Sequence, residues 1–309
     1  MNDLVSVVIP TYKRPLYIER AIESVINQTY DNIEIIIVDD NGLGSENQRN
    51  TEKVLEKYII NKKIKYIINK ENVGGAVSRN NGVAHASGKF ISFLDDDDTY
   101  EPNKIMEQLK IITSDKATDA CYCGMSYINE KGIKIGKRSI YLDGSSDLLS
   151  RHIYRPITGT PALLIKRSVF DDINGFDPLK RYQDANLIFK LLANGSKFKC
   201  VKKELVNVFL HSEERITNPV NRIKLELEYI ENNLKYLDKM TYNSSKLLID
   251  KYHMLKILST QNHDAKKILK VIKTINFRMF NWMNLLGFAN YIMITLKTNQ
   301  DLDNCRIQN

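Results

Sequence analysis

Residues 89–100, KFISFLDDDDTY, join a short apolar run to four consecutive aspartates. Ile91, Phe93 and Leu94 give the near-continuous hydrophobicity of a strand buried on both faces of a parallel sheet. Ionised carboxylates are too costly to follow such a strand into a core. Asp95, Asp96, Asp97 and Asp98 therefore belong at its exposed carboxyl end, where open α/β sheets take their ligands. Four adjacent negative charges repel one another. A divalent cation that favours hard oxygen ligands, Mg2+ or Mn2+, relieves that repulsion and commonly brings phosphates with it. The stretch predicts a metal–diphosphate site. A solvated acidic turn or a helix N-cap cluster explains the same residues without a ligand.

Outward from this segment, apolar runs alternate with helical patterns. Residues 5–9 (VSVVI), 33–38 (IEIIIV) and 64–68 (IKYII) read as three further strands. Between them Ile18, Ala21, Ile22, Val25 and Ile26 recur at helical spacing, and a second helix is expected around residues 48–58. Asn72 to Ala86 reads as a glycine-led helix. Pro102 opens another, with Ile105, Leu109 and Ile112 on one face. This alternation predicts an α/β fold with parallel βαβ units. Residues 119–128 (DACYCGMSYI) continue as a strand, and 130–160 are polar and turn-rich. PALLIKRSVF suggests a short strand and turn, 184–193 a helix closed by Asn194 and Gly195, and 198–210 one or two strands. Beyond Pro219 the pattern is helical.

Three of these strand ends carry polar groups. Strand one runs into Pro10, Thr11, Tyr12, Lys13 and Arg14, strand two into Asp39, Asp40 and Asn41, and the strand of the opening stretch into its aspartates. In a parallel sheet these ends share one edge. Asp39 or Asp40 there can accept from a base N–H or a ribose hydroxyl, or cap the following helix. Asn72-Val73-Gly74-Gly75 lets backbone approach a ligand closely. Arg79, one turn on, reaches a phosphate or the aspartates, or is a surface arginine. Neither GxGxxG nor GxxxxGK[ST] occurs, so the dinucleotide fingerprint and the P-loop are excluded.

Taken in order, SVVIPTYKRP, the IVDD pair, NVGGAVSRNNG, GKFISFLDDDD and GFD followed by Gln183-Asp184 resemble family 2 glycosyltransferases across about residues 4–215. The resemblance implies a GT-A fold, a Rossmann-like, mostly parallel sheet flanked by helices, and an inverting hexosyltransferase of the type that builds bacterial capsule, lipopolysaccharide or other surface polysaccharide. It implies a nucleotide-sugar donor, with UDP the expected nucleotide, and Mn2+ or Mg2+ as cofactor. By match, Pro10, Thr11, Tyr12, Arg14 and Asp40, with Asp39 beside it, bind the nucleotide, joined by Asn72, Gly74 and Arg79. The DxD motif falls on Asp95 and Asp97. Asp97 is the implied metal ligand, and Asp96 contacts ribose or the metal's surroundings. In the family's Glu-Asp pair the Glu is replaced by Gln183. Asp184 is kept and is the implied catalytic base, although an aspartate opening a helix is also an ordinary N-cap. His211 matches a histidine found near the metal, with Arg215 beside the diphosphate. A single displacement requires no Ser or Cys nucleophile. The competing readings are a non-catalytic nucleotide-sugar-binding partner subunit and a sugar-nucleotidyltransferase. The latter expects a Gly-rich basic loop after strand one, where TYKRP stands.

The chain has 309 residues and a net charge of +8. From Asn221 onward there are 14 Lys/Arg against 8 Asp/Glu, so +6 of that charge lies in the last third. Such a basic tail fits an anionic partner surface. No nucleic-acid recognition motif accompanies it, so nucleic acid is not an expected partner. Residues 1–218 are expected to form the catalytic domain and 219–309 a helical extension. Within the extension, 265–279 reads as a lysine-rich amphipathic helix, and 277–296 supplies Phe277, Phe280, Trp282, Phe288 and Tyr291. That pairing suits either an interfacial membrane anchor or a packing module that joins a homodimer. A lipid-linked or other glycan acceptor would make membrane attachment useful. MNDLVSVVIP reads as a strand rather than a leader, and Cys121, Cys123, Cys200 and Cys305 show no CxxC spacing. A cytoplasmic protein, peripheral on the inner face of the plasma membrane, is the expected setting.

Overall fold

The computed structural model describes residues 2–142, 148–210 and 222–259. The first half repeats one unit: β1 (Val5–Thr11), α1 (Ile18–Ile26), β2 (Ile33–Asp39), α2 (Glu46–Ile60), β3 (Lys65–Ile68), α3 (Gly75–Ala84) and β4 (Phe90–Phe93). The order β3-β2-β1-β4 is parallel throughout. Thr11 pairs with Asp39 and Val8 with Phe93. All these carboxyl ends therefore reach one rim, and the aspartate run follows directly from β4.

Beyond β4 the alternation changes. β5 (Thr99–Tyr100), α4 (Lys104–Ser114), β6 (Ala120–Ile128), β7 (Lys134–Arg138), α5 (Leu148–Tyr154), β8 (Leu163–Lys166), α6 (Arg167–Asp172), α7 (Gln183–Ala193) and β9 (Phe198–Phe209) complete the catalytic body. β8 lies antiparallel between β4 and β6, while β9 runs parallel to β6. The sheet of nine strands is thus parallel on one side and mixed on the other, in the GT-A arrangement that the resemblance implied. The short strands β5 and β7 were not legible. One has two residues, and the other (KIGKR) is an exposed edge without an apolar face. The segment 198–210 is one long strand, and the turn expected after β8 is the helix α6.

Period-two alternation sends Val7 and Ile9 to one face of the sheet and Val8 to the other. The first face packs on Ile18, Ala21, Ile22 and Val25 of α1, the i, i+3, i+4, i+7 stripe. Truncating one such residue, Ile22→Ala, costs about 2–5 kcal/mol. A third cluster joins Ile153 of α5 and Phe189 of α7 to Tyr229, Ile230, Leu248 and Leu255. The last four belong to α8 (Arg222–Asn233) and α9 (Tyr242–Ser259). These helices are packed onto the catalytic body. The expected domain limit at residues 218/219, the basic helix 265–279, the aromatic segment 277–296 and Cys305 lie outside the described residues. Among the described residues no helix is long and apolar enough to cross a membrane.

Candidate active site

The carboxyl rim opens into a cleft of about 800 Å³ lined by Pro10, Thr11, Tyr12, Arg14, Asp40, Asn72, Gly74, Arg79 and Asp95 to Asp98. The convergence read from the strand ends is present. What the sequence left open is how the acids divide their work.

The four aspartates take four different partners. Asp96 is buried and accepts from the Thr11 hydroxyl at 2.7 Å. Burial pushes its carboxyl up to about 7, with the Thr11 hydrogen bond pulling the other way. Asp98 also turns inward, accepting the Phe209 N–H at 3.0 Å. Burial, then the charges of Asp95 and Asp97, raise it well above the carboxylate range. Asp95 and Asp97 face the cleft. Arg79 donates to Asp95 Oδ1 at 2.5 Å, and Arg14 forms a close ion pair with Asp97 while lying 3.6 Å from Asp96. The run does not cap α4, which is preceded by Asn103, and with Asp96 and Asp98 buried it is not a wholly solvated turn.

Asp40 is spent on the neighbouring turn. Its carboxylate accepts from Val73 N (2.9 Å), Gly74 N (2.8 Å) and Asn69 Nδ2 (2.8 Å). It therefore caps the entrance to α3 from another strand while still lining the cleft. Gly74, at φ 84°, supplies the left-handed geometry of that turn. Asn72 Nδ2 donates to the Asp40 carbonyl at 3.3 Å. Arg79 is buried on α3 and also donates to Gln183 Oε1 at 3.2 Å. It thereby links the aspartate run to the start of α7.

Asp39 does not share this placement. It is fully buried, takes hydrogen bonds from Tyr66 (2.6 Å) and Asn41 (2.9 and 2.8 Å), and does not line the cleft. The reason is geometric: consecutive strand residues face opposite sides, so Asp39 and Asp40 cannot both reach the rim. Asp39 instead fixes Asn41, which accepts the Lys13 N–H at 2.7 Å and shapes the loop after β1.

Asp184 lies in the first turn of α7, next to the cleft-lining Gln183. It is not an N-cap, because α7 begins after Tyr182 without a side-chain cap. Its carboxylate accepts from Thr160 Oγ1 at 2.8 Å and Thr160 N at 3.3 Å. Burial raises its pKa, with Arg79 and Thr160 opposing and Asp95 adding to the rise. A carboxylate in this setting is a stronger base than one in water.

Two further residues bear on the site. Arg20 of α1 donates to the Asp97 carbonyl at 2.7 Å and stacks 3.5 Å from the centre of the Phe209 ring. Thr160 orients Asp184 from a 3-10 turn, Thr160–Ala162. Nothing in the helical pattern marked Arg20; a Gly-Thr-Pro turn just before an apolar strand was the only signal for Thr160. His211 and Arg215 lie outside the described residues.

The donor set suits a hard cation. Asp96 and Asp97 already share one cationic side chain, Arg14, at the cleft wall. Among the described residues no three His, Cys, Asp or Glu side chains are grouped to hold a metal by themselves. One or two carboxylates with phosphate and water oxygens completing the shell is the way Mg2+ is ordinarily held beside a nucleotide.

Residues 6–182 match Glycosyl transferase family 2. An uncharacterised glycosyltransferase of Methanocaldococcus jannaschii is 30% identical over 233 residues, covering 74% of this chain and 78% of the relative. A Bacillus subtilis protein described as the putative teichuronic acid biosynthesis glycosyltransferase TuaG is 33% identical over 137 residues, covering 44% of this chain and 52% of the relative. The crystal structure of S. aureus TarS residues 1–349 in complex with UDP-GlcNAc superposes with a TM-score of 0.66 at 18% identity, over 87% of this chain and 79% of that one. At that identity the likeness concerns the fold.

Proposed function

The chain belongs to glycosyl transferase family 2, and on that premise we propose that its cleft performs a metal-assisted, inverting transfer of a sugar from a UDP-sugar to a hydroxyl of a glycan or lipid-linked acceptor in surface-polysaccharide synthesis. The donor nucleotide lies against Pro10, Thr11, Tyr12, Asp40 and the Asn72–Gly74 turn. The UDP-GlcNAc of the structural neighbour and the teichuronic acid pathway of the relative support this choice of donor and product class.

The observation that carries the reading is Asp184. It is a desolvated carboxylate that does not itself line the cleft but follows the cleft-lining Gln183, is held by Thr160 and feels the charge of Arg79, the arginine that Gln183 and Asp95 bind. Asp184 accepts the proton of the acceptor hydroxyl as that oxygen attacks the anomeric carbon. Thr160 holds the carboxylate in one rotamer, which preserves the attack geometry. Arg79 holds Asp95 and lends positive charge to the region. Arg14 and Arg20 fix Asp97, by its carboxylate and its carbonyl respectively. Asp97 and Asp96 would hold Mg2+ or Mn2+, which offsets charge on the departing diphosphate when bound. The chain's membrane attachment, through the basic and aromatic C-terminal residues, belongs to the same proposal: it would bring the enzyme to a lipid-linked acceptor.

The test is UDP release by the full-length protein, with Mn2+ and a panel of UDP-sugars, for the native chain and for Asp184→Asn. The expected result is turnover by the native protein and a fall of about 10²–10⁴-fold in the variant, with UDP affinity retained. Near-native turnover by Asp184→Asn would remove Asp184 as base. UDP binding without turnover of any donor would favour a binding subunit instead.

A further inference from the structure

The turn that presents Asp184 is left-handed at a residue ill suited to it. Tyr182, which precedes Gln183 and Asp184, has φ 61° and ψ 22°. L side chains are penalised in that region, and a bulky aromatic one more than Asn or Asp. No glycine relieves the turn, and α7 starts directly after it without a side-chain cap. Such a conformation persists only where its surroundings over-determine it.

The surroundings are α8. The Tyr182 ring stacks on that of Tyr229, with centroids 5.4 Å apart and planes at 24°. The Tyr182 hydroxyl donates to Glu226 Oε2 at 3.4 Å. Glu226 is buried and is paired with Lys251 of α9 at 2.9 Å. Glu226 and Tyr229 stand at i and i+3, so they share one face of α8. One turn into α7, the Asn186 N–H donates to the Tyr182 carbonyl at 2.8 Å, and Asn186 Nδ2 donates to Asn233 Oδ1 at 3.2 Å. Ahead of the turn, Asp177 accepts from Asn232 Nδ2 at 2.7 Å. Helix α8 thus grips the segment at Asp177, Tyr182 and Asn186, and Asp184 lies between the last two.

The Asp184 carboxylate itself is held by Thr160 and lies against Gly159, where an added Cβ would be 3.3 Å from Oδ2 and 3.8 Å from Met125 Cε. Arg138 of β7 feels its charge. Those contacts fix the side chain, whereas α8 fixes the backbone that carries it. The Tyr229 hydroxyl is buried and has no hydrogen-bond partner among the described residues. What Tyr229 gives the turn is therefore the face of its ring.

Resting on the transferase reading above, we propose that Tyr229 is a positioning residue for the base: its ring, stacked on Tyr182, keeps the left-handed turn closed and so sets where Asp184 stands. Tyr229 does not line the cleft and acts through Tyr182. A shift of about 1 Å in a reacting group is enough to cost about 10²-fold in rate.

The experiment compares the native full-length chain with Tyr229→Leu and Tyr229→Phe. Three quantities are read: UDP sites by titration, turnover of a UDP-sugar per UDP site, and hydrogen exchange of the peptide that carries Asn186. Tyr229→Leu should speed that exchange about tenfold, the upper end of what an aromatic pair contributes. It should lower kcat per UDP site about 10–100-fold, with UDP affinity and the KM of the donor unchanged. Tyr229→Phe keeps the ring and should recover most of both losses. The second arm changes the other ring. Tyr182→Ala loses the stack and keeps the backbone penalty, whereas Tyr182→Gly takes φ 61° freely, so the glycine variant should retain the higher kcat. Native exchange in Tyr229→Leu, faster exchange with native kcat per site, no recovery in Tyr229→Phe, or a kcat for Tyr182→Gly at or below that of Tyr182→Ala would overturn the assignment. A loss of UDP sites with native kcat at those that remain would make Tyr229 a structural residue and overturn it too. Binding of UDP by the native chain without turnover of any UDP-sugar would instead defeat the transferase reading, and the exchange comparison would still report whether α8 holds the turn.

Discussion

The proposed donor wall takes its residues from β1, β2, α3 and β4, successive βα units whose strand ends meet at one rim. The proposed acceptor wall takes Met125, Arg138, Gly159, Thr160 and Asp184 from a hairpin, a 3-10 turn and the first turn of α7. On the donor wall, parallel pairing fixes the meeting place before any side chain is considered. On the acceptor wall, position depends on single tertiary contacts, such as Thr160 on Asp184 and Arg138 on the Pro156 carbonyl. The first kind of wall suits a part of the substrate that is common to many enzymes. The second can change its occupant by altering a loop, leaving the sheet untouched.

The largest expected effect that separates the walls is on turnover. Asp97→Asn should lower kcat/KM about 10²–10³-fold through lost charge stabilisation at the leaving group. Raising the Mn2+ concentration should recover part of it. Unaltered kcat/KM at low Mn2+ would detach Asp97 from the donor wall's chemistry.

Next in size is a pH effect on the acceptor wall. His152 is buried; its Nδ1 accepts the Ile157 N–H at 3.3 Å, which leaves Nε2–H to donate to the Ala185 carbonyl at 2.8 Å. One neutral ring thus ties α5, the loop before Thr160 and the turn carrying Asp184. Burial pulls its pKa from the usual 6.5 to about 3. The unfolded chain binds this proton first, so its contribution is complete above 6.5 and is lost as pH falls from 6.5 toward 3. The loss is on the order of 4 kcal/mol. Denaturant titrations from pH 7 to pH 4 should show a shallower acid decline for His152→Gln than for the native chain. Equal slopes would show that the ring is not what the acid attacks.

Smaller again is Asp40→Ala on the donor wall. It strands the N–H groups of Val73 and Gly74 and should cost about 1–3 kcal/mol of stability, measurable as a lower denaturant midpoint. A loss of UDP affinity without destabilisation would instead mean that Asp40 serves the nucleotide alone. The smallest effect belongs to Thr160→Val, roughly tenfold in kcat. Since the Thr160 hydroxyl lowers the raised pKa of Asp184, the variant's activity should also disappear at a higher pH on the acid side. The base works only when deprotonated, so activity is present above that pKa and lost below it. An unmoved acid limb would uncouple Thr160 from the base.

The contrast between walls also decides what could be read from the sequence. Apolar strands with polar ends announce the donor rim, because strand burial and the exclusion of charge from a core are both visible residue by residue. Asp184 was legible only as the surviving half of a motif after GFD. Asp39 and Asp40 look equivalent on paper, yet strand alternation gives one to the core and the other to the cleft. Arg20, Thr160 and Arg138 carried no signal. Each acts through a backbone or side-chain partner between 24 and 77 positions away, or 18 in the case of Arg138 and Pro156. Such contacts exist only once the chain has folded. β7 escaped for a related reason: an exposed edge strand needs no hydrophobic pattern to be held by its neighbour.

The most direct measurement is a crystal structure of the full chain with UDP and Mn2+. The account predicts an ion beside Asp97, Arg14 displaced from that carboxylate, and the diphosphate running along the rim toward Asp184. An ion held elsewhere, or UDP seated away from the ends of β1, β2 and β4, would contradict it.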